Sequence, residues 1–306
     1  MPSATWIWIP ITLAAAAAQT IRNASQRSLV KSAGTLPATF VRFAYGLPFA
    51  AIGLGIAAMT TSMPLPSAGL GAFGWIVVGA GSQLAATALL IMAMEARSFV
   101  VAVSFAKTEI LQVGVFSIVL LGEPLAAASV AAVVLATLGV LLLSIKPGEQ
   151  RGAGIATWFS PAAFLGLASG AGFALSAVGF RGAVLALEHP LPWVAALYAL
   201  TCAQLVQTLA LGAYLYSRDR SGLMQVIVQW RVSMLAGFMG ALASFCWFTA
   251  FGMRSAVDVR IVGLIEVVYS YALSRQLFRE AVSWREISGM LLVAGSIALI
   301  SVAGWR

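Results

Sequence analysis

Residues 109–124 read EILQVGVFSIVLLGEP, and residues 266–281 read EVVYSYALSRQLFREA. Each stretch opens on a glutamate and carries a second one 14 residues on; 266 minus 109 and 280 minus 123 both give 157. The same offset carries Ala93 to Ala250, Arg97-Ser98 to Arg254-Ser255, Ser117 to Ser274 and Ser144 to Ser301. A register that runs without a gap from position 93 to position 144 marks an internal duplication.

The composition says what was duplicated. Of 306 residues, 61% are hydrophobic and 9% charged, against about 25% charged in soluble domains. So few charges cannot cover a soluble protein of this length, whereas lipid-facing helices need almost none. The chain therefore reads as all-α and polytopic in the membrane. At about 20 apolar residues per span, ten segments fit: 6–28, 36–59, 70–94, 99–121, 125–145, 160–184, 191–216, 232–253, 257–277 and 283–303. Turn formers and charges separate them, as in Met63-Pro64-Leu65-Pro66, Glu188-His189-Pro190 and Ser217-Arg218-Asp219-Arg220. Residues 1–146 form the first five-helix repeat, 147–159 the connecting loop and 160–306 the second repeat. Five is odd, so the second copy enters the membrane in the opposite sense. The expectation is ten transmembrane helices as two inverted repeats, with a solute site near the midplane.

The net charge of +8 belongs to loops in such a protein and not to a nucleic-acid face. On the side of the odd-numbered loops lie Arg27, Lys31, Arg97, Lys146, Arg151, Arg218, Arg220, Arg231, Arg275, Arg279 and Arg285; on the other lie Arg181, Arg254, Arg260 and Arg306. By the positive-inside rule the first side is cytoplasmic and both termini lie outside. No basic residue precedes the first apolar run, so that run is expected to remain in the mature protein.

Five ionisable side chains fall inside spans: Arg22, Arg42, Lys107, Glu109 and Glu266. Each costs about 2.5–3.5 kcal/mol at a helix centre, so each should face protein or a wet cavity. Lys107 and Glu109 are two residues apart, about 200° around a helix, and cannot pair with each other. Glu109 and Glu266 hold equivalent places in the two copies, with Gln112 and Tyr269 one turn on. They are candidates for proton coupling or cation binding, or else for structural pairs with Arg22, Arg42 or Lys107. Glu123 and Glu280 stand at span boundaries and read as capping acids. Gln19-Thr20-Ile21-Arg22-Asn23 is a polar insert after an alanine run, and Gly166, Gly170 and Gly172 on the sixth segment allow close helix contact. Trp75, Phe105, Phe245, Trp247, Tyr269 and Tyr271 lie on central segments, where packing accounts for most; Trp6, Trp8, Trp230, Trp284 and Trp305 suit an interfacial belt.

Cys202 and Cys246 sit on different apolar segments and His189 in a turn, so no disulfide and no metal site is expected. No nucleophile elbow or phosphate loop is present; the Gly69, Gly71, Gly74 pattern follows no strand. Neither an enzyme nor a cofactor is expected.

With these residues in view, the chain resembles the drug/metabolite transporter superfamily, EamA type. Leu121-Gly122-Glu123-Pro124-Leu125 and Leu138-Gly139-Val140 look like that family's junction between helices 4 and 5. Phe278-Arg279-Glu280-Ala281-Val282 and Ala294-Gly295-Ser296 look like its second copy, and Val41-Arg42-Phe43 is similar to the pair opening helix 2. The resemblance implies a ten-helix, multi-pass carrier of the cell inner membrane, often an exporter, with a cavity lined by helices 1, 3, 4, 6, 8 and 9. It also implies cytoplasmic termini, opposite to the charge count. Where many relatives carry a proline in helix 4, this chain reads Ser104-Phe105-Ala106-Lys107-Thr108-Glu109.

The expected function is secondary transport by alternating access of amino acids or related zwitterionic or anionic metabolites. Gln19, Arg22, Asn23, Arg42, Lys107, Glu109, Trp247, Glu266 and Tyr269 are the candidate solute-binding residues. The alternative is a facilitator or importer of an uncharged or aromatic metabolite such as a vitamin; an integral-membrane enzyme and a channel are more remote. The partners expected are a small solute and the lipid bilayer; the sequence leaves the oligomeric state open, a monomer among the options.

Overall fold

The computed structural model describes residues 6–95, 105–106, 108–144, 160–269, 272 and 284–303. Among them are twelve helices and no strand: α1 (Trp8–Ala33), α2 (Thr35–Ala44), α3 (Leu47–Thr60), α4 (Leu70–Glu95), α5 (Glu109–Leu121), α6 (Ala127–Ser144), α7 (Pro161–Ala186), α8 (Pro192–Arg218), α9 (Arg220–Val228), α10 (Trp230–Met253), α11 (Ala256–Gly263) and α12 (Trp284–Ala303). Five stretches are long and apolar enough to cross a membrane: Thr35–Thr60, Leu70–Ala93, α7, α8 and α10. At 1.5 Å per residue a 26-residue helix such as α7 measures about 39 Å, more than the ~30 Å hydrocarbon layer. Glu109–Leu121, Ala127–Leu143 and Ile287–Ala303 are apolar but shorter.

The chain packs into two compact units. The first holds residues 1–9, 82–178 and 255–306, the second 10–81 and 179–254. Each unit draws on both halves of the sequence.

In the second unit, α2 and α3 pack against α8. A Cβ on Gly212 would meet the Phe40 ring at 3.2 Å, one on Gly46 the Gln204 side chain at 2.8 Å, and one on Gly53 Leu197 at 3.0 Å; Ala57 packs with Val194. Numbers rise along one helix as they fall along the other, so the two run antiparallel. Their starts, Thr35 and Pro192, are 157 residues apart (192 minus 35). In the first unit α6 and α12 pair along their length. A Cβ on Gly139 would stand 2.8 Å from the Gly289 carbonyl oxygen, and one on Gly289 would meet the Gly139 oxygen at 2.9 Å and Leu143 at 2.7 Å, while Leu292 and Val293 face Gly139. This pair is antiparallel too, and its starts, Ala127 and Trp284, again differ by 157 (284 minus 127). Small residues set these approaches because backbones can close only where no side chain intervenes.

Local chemistry fixes the element ends. Gly34, at φ 87°, is the single residue between α1 and α2, and Gly122, at φ 64°, ends α5; both backbones favour glycine. Pro48 lacks an N–H and stands at the start of α3, which breaks the expected 36–59 span at Tyr45-Gly46. Ser255 caps α11 by accepting the Asp258 N–H at 3.2 Å. The segment after Arg218, expected as a plain break, forms α9, because the Asp219 carboxylate caps it by accepting the Gly222 N–H at 2.9 Å. α1 also runs past the expected residue 28, to Ala33. Trp8, expected in an interfacial belt, is buried instead. The expected loop 147–159 and Lys107, Tyr271, Glu280 and Trp305 lie outside the described residues.

Candidate functional site

The two glutamate-bearing segments are both interrupted just before the glutamate. The Thr108 N–H donates to the Phe105 carbonyl at 3.1 Å and the Leu111 N–H to the Thr108 carbonyl at 3.0 Å. In the segment that carries Glu266 the Leu264 N–H donates to the Ile261 carbonyl at 3.1 Å and the Val267 N–H to the Leu264 carbonyl at 2.9 Å. These closures over three residues tighten the backbone locally to 3₁₀ form and interrupt the regular α-helix. α5 therefore starts at Glu109, against the expected continuous helix over 99–121, and α11 stops at Gly263, with helix resuming over 265–269.

Arg260 Nη2 donates to Glu109 Oε1, an ion pair whose side chains are 25% and 14% exposed. Two residues earlier Asp258, only 5% exposed, accepts from Ser129 Oγ at 2.7 Å, which ties α11 to α6. Gln112 Nε2 donates to Thr108 Oγ1 at 2.9 Å and ties the first turn of α5 to its interruption. A carboxylate in that turn sits where the helix N-terminus attracts negative charge. The first unit thus brings Glu109, Glu266 and Tyr269 onto two interrupted segments, with Arg260 and Asp258 added.

Sequence reading missed Asp258 and counted Arg260 as a loop charge. The Ser255-x-x-Asp258 capping pattern was the available signal that a helix begins there and carries both. Arg181, also counted as a loop charge, lies in α7, and its Nη1 donates to the carbonyls of Phe251 and, at 2.5 Å, of Arg254. It satisfies the C-terminal carbonyls of α10.

The second unit brings together Gln19, Arg22, Asn23, Arg42 and Trp247. Trp247 Nε1 donates to Gln19 Oε1 at 3.1 Å and its ring stacks on Phe251, centroids 6.1 Å apart. Arg22, 8% exposed, donates through Nη2 to Asn23 Oδ1 at 2.7 Å. A Cβ on Gly240 would meet Arg42 Cβ at 3.2 Å and Arg22 Cδ at 3.3 Å, so this glycine makes room for two arginine stems side by side. The Arg42 guanidinium lies over Phe43, 4.5 Å from its centroid.

The units differ in charge. The second contains nine bases, Arg22, Arg27, Lys31, Arg42, Arg181, Arg218, Arg220, Arg231 and Arg254, against two acids, Glu188 and Asp219, a net of +7 out of the chain's +8. The first contains the other nine bases and the other eight acids.

No family profile and no curated protein matches the sequence. Among solved structures 28 chains are similar. One, described only as the crystal structure of a protein, superposes with a TM-score of 0.71 over 96% of this chain and 97% of its own at 18% identity. At that identity the likeness concerns the fold alone.

Proposed function

We propose that this chain is a secondary transporter of the cell inner membrane, with ten spans arranged as two inverted five-helix repeats. It moves small organic solutes, amino acids or related zwitterionic or anionic metabolites, by alternating access. The observation that carries this reading is the matching interruption in the two glutamate-bearing segments. Interrupted helix at membrane depth is tolerated where it lies within protein or lines a cavity, and carriers place their sites at such breaks. The antiparallel packing of α2 and α3 with α8, and of α6 with α12, each pair starting 157 residues apart, supports the inverted duplication. So do the glutamate register and the resemblance to EamA-type transporters.

In this mechanism Arg22 and Arg42 meet the anionic part of the solute, with Gln19, Asn23 and Trp247 shaping that surface. Glu109 and Glu266 exchange a proton as the interrupted segments move. The Glu109–Arg260 pair holds one state until protonation or an incoming charge releases it. The chemistry is binding and displacement, without bond cleavage.

Uptake into proteoliposomes with and without a pH gradient is the test. Saturable uptake that responds to the gradient, and a response lost in Glu109→Gln and Glu266→Gln at normal protein yield, is expected. Variants with unchanged rate and unchanged pH response overturn the coupling role.

A further inference from the structure

α9 joins the end of α8 to the start of α10 and has 9 residues, a length of about 14 Å that cannot cross a bilayer. Its inner face packs on the end of α1 and on α2. Gly222 lies against Pro37 and the Ala33 carbonyl, Val226 is buried with Leu29 and Val41, and Tyr45 Oη donates to the Val226 carbonyl at 3.3 Å. The other face is apolar and open: Met224 is 58% exposed, Ile227 51% and Val228 66%, with Trp230 at 55% just beyond.

Exposed cations surround that face. Arg218 and Arg220 precede it, Arg231 follows it, and Lys31 comes from α1, whose last turn is held there by a hydrogen bond of 2.6 Å from Gln229 Nε2 to Ser32 Oγ. The acid of this segment, Asp219, is engaged internally by the Gly222 N–H and by Ser221 Oγ. Aromatic rings steer two of the guanidiniums, Arg220 over Tyr216 at 4.3 Å and Arg231 over Trp230 at 5.5 Å. Exposed Met, Ile and Val are unfavourable in water, and cations are unfavourable in hydrocarbon. The headgroup layer accommodates both.

We propose that α9 lies in the membrane interface, its apolar side chains entering the acyl boundary, and that the cations at its two ends, Arg218 and Arg220 at one and Lys31 and Arg231 at the other, bind the phosphates of anionic phospholipids. The proposal rests on the reading that the long helices cross a membrane; it does not depend on the carrier mechanism.

The test is native mass spectrometry of purified protein exchanged into an equal mixture of phosphatidylglycerol and phosphatidylcholine. The wild type should retain phosphatidylglycerol in preference, and each of Lys31→Gln, Arg218→Gln, Arg220→Gln and Arg231→Gln should lower that preference about fivefold. Arg285→Gln, far from α9 in sequence, is the control and should leave it unchanged. Single variants suffice, so the test survives even if the fourfold variant does not fold. Equal retention of the two lipids by wild type, or a preference that all four variants keep, overturns the proposal. Thermal stabilisation in detergent by inorganic phosphate equal to that by phosphatidylglycerol overturns it as well, because a free anion is then sufficient. A chain that fractionates away from membranes defeats the membrane reading itself, whereas a membrane-bound chain without lipid preference defeats only this site.

Discussion

Arg260 and Glu109 form an ion pair between segments 151 residues apart in the chain. The offset of 157 carries Glu109 to Glu266 but leads from Arg260 back to Val103. The glutamate thus recurs at the offset and its basic partner does not, so the two glutamate-bearing segments differ in charge.

Breaking the pair from either side leaves a charge in a partly buried place. Glu109→Gln or Arg260→Gln alone should cost about 1–3 kcal/mol of stability, seen as a lower unfolding midpoint in detergent. The double variant should recover part of that loss. Strict additivity in the double-mutant cycle shows that the two side chains are not coupled.

Gly139→Ala should lower the unfolding midpoint, at a cost of about 1–3 kcal/mol, because its methyl group would stand 2.8 Å from a backbone oxygen that α12 cannot withdraw. Gly295→Ala, on the same helix pair but with nothing within 4 Å, should be neutral or stabilising by up to about 1 kcal/mol. Equal midpoints for the two variants contradict the tight α6–α12 contact.

Met63 and Met224 are exposed at opposite ends of the second unit, the first near the α3–α8 contact at Ala57 and Val194, the second on α9. With Cys202 and Cys246 replaced, Met63→Cys should react with a membrane-impermeant thiol reagent in intact cells. Met224→Cys should react only after lysis if the orientation expected from the positive-inside rule, with the cations around α9 in the cytoplasm, holds. Labelling of both in intact cells rules out a membrane crossing between them, and the reverse pattern inverts the orientation.

Trp247→Phe preserves an aromatic ring against Phe251 but removes the donor to Gln19. The lost hydrogen bond should cost about 0.5–1.5 kcal/mol in stability. If this surface meets the solute, Trp247→Phe and Gln19→Ala should also raise the KM for uptake several-fold at normal yield. An unchanged KM in both assigns the bond a purely packing role.

Much of the helical layout was legible because apolar runs and turn formers are local signals. Both ends of α4, α8 and α10 fall within two residues of the expected spans. What escaped was governed by capping and by pairing. Asp219 builds α9 out of a stretch rich in charge, and Ser255 begins α11 where only an apolar run was visible. Arg260 and Arg181 read as loop charges until their partners, Glu109 and the end of α10, came into place.

The amino-acid sequence by itself determined the apolar helical character, the 157-residue register and the glutamates repeated within it, since these depend only on residue type and spacing. Charge is different. Residues 1–146 carry seven bases against three acids and residues 160–306 ten against six, a net of +4 each, so the sequence halves look electrically alike. Packing of α1 to α3 with α8 to α10 concentrates +7 in one unit and leaves +1 in the other. Only the tertiary structure decided this, because the field at any point depends on which helices are neighbours in space and not on which lie adjacent along the chain.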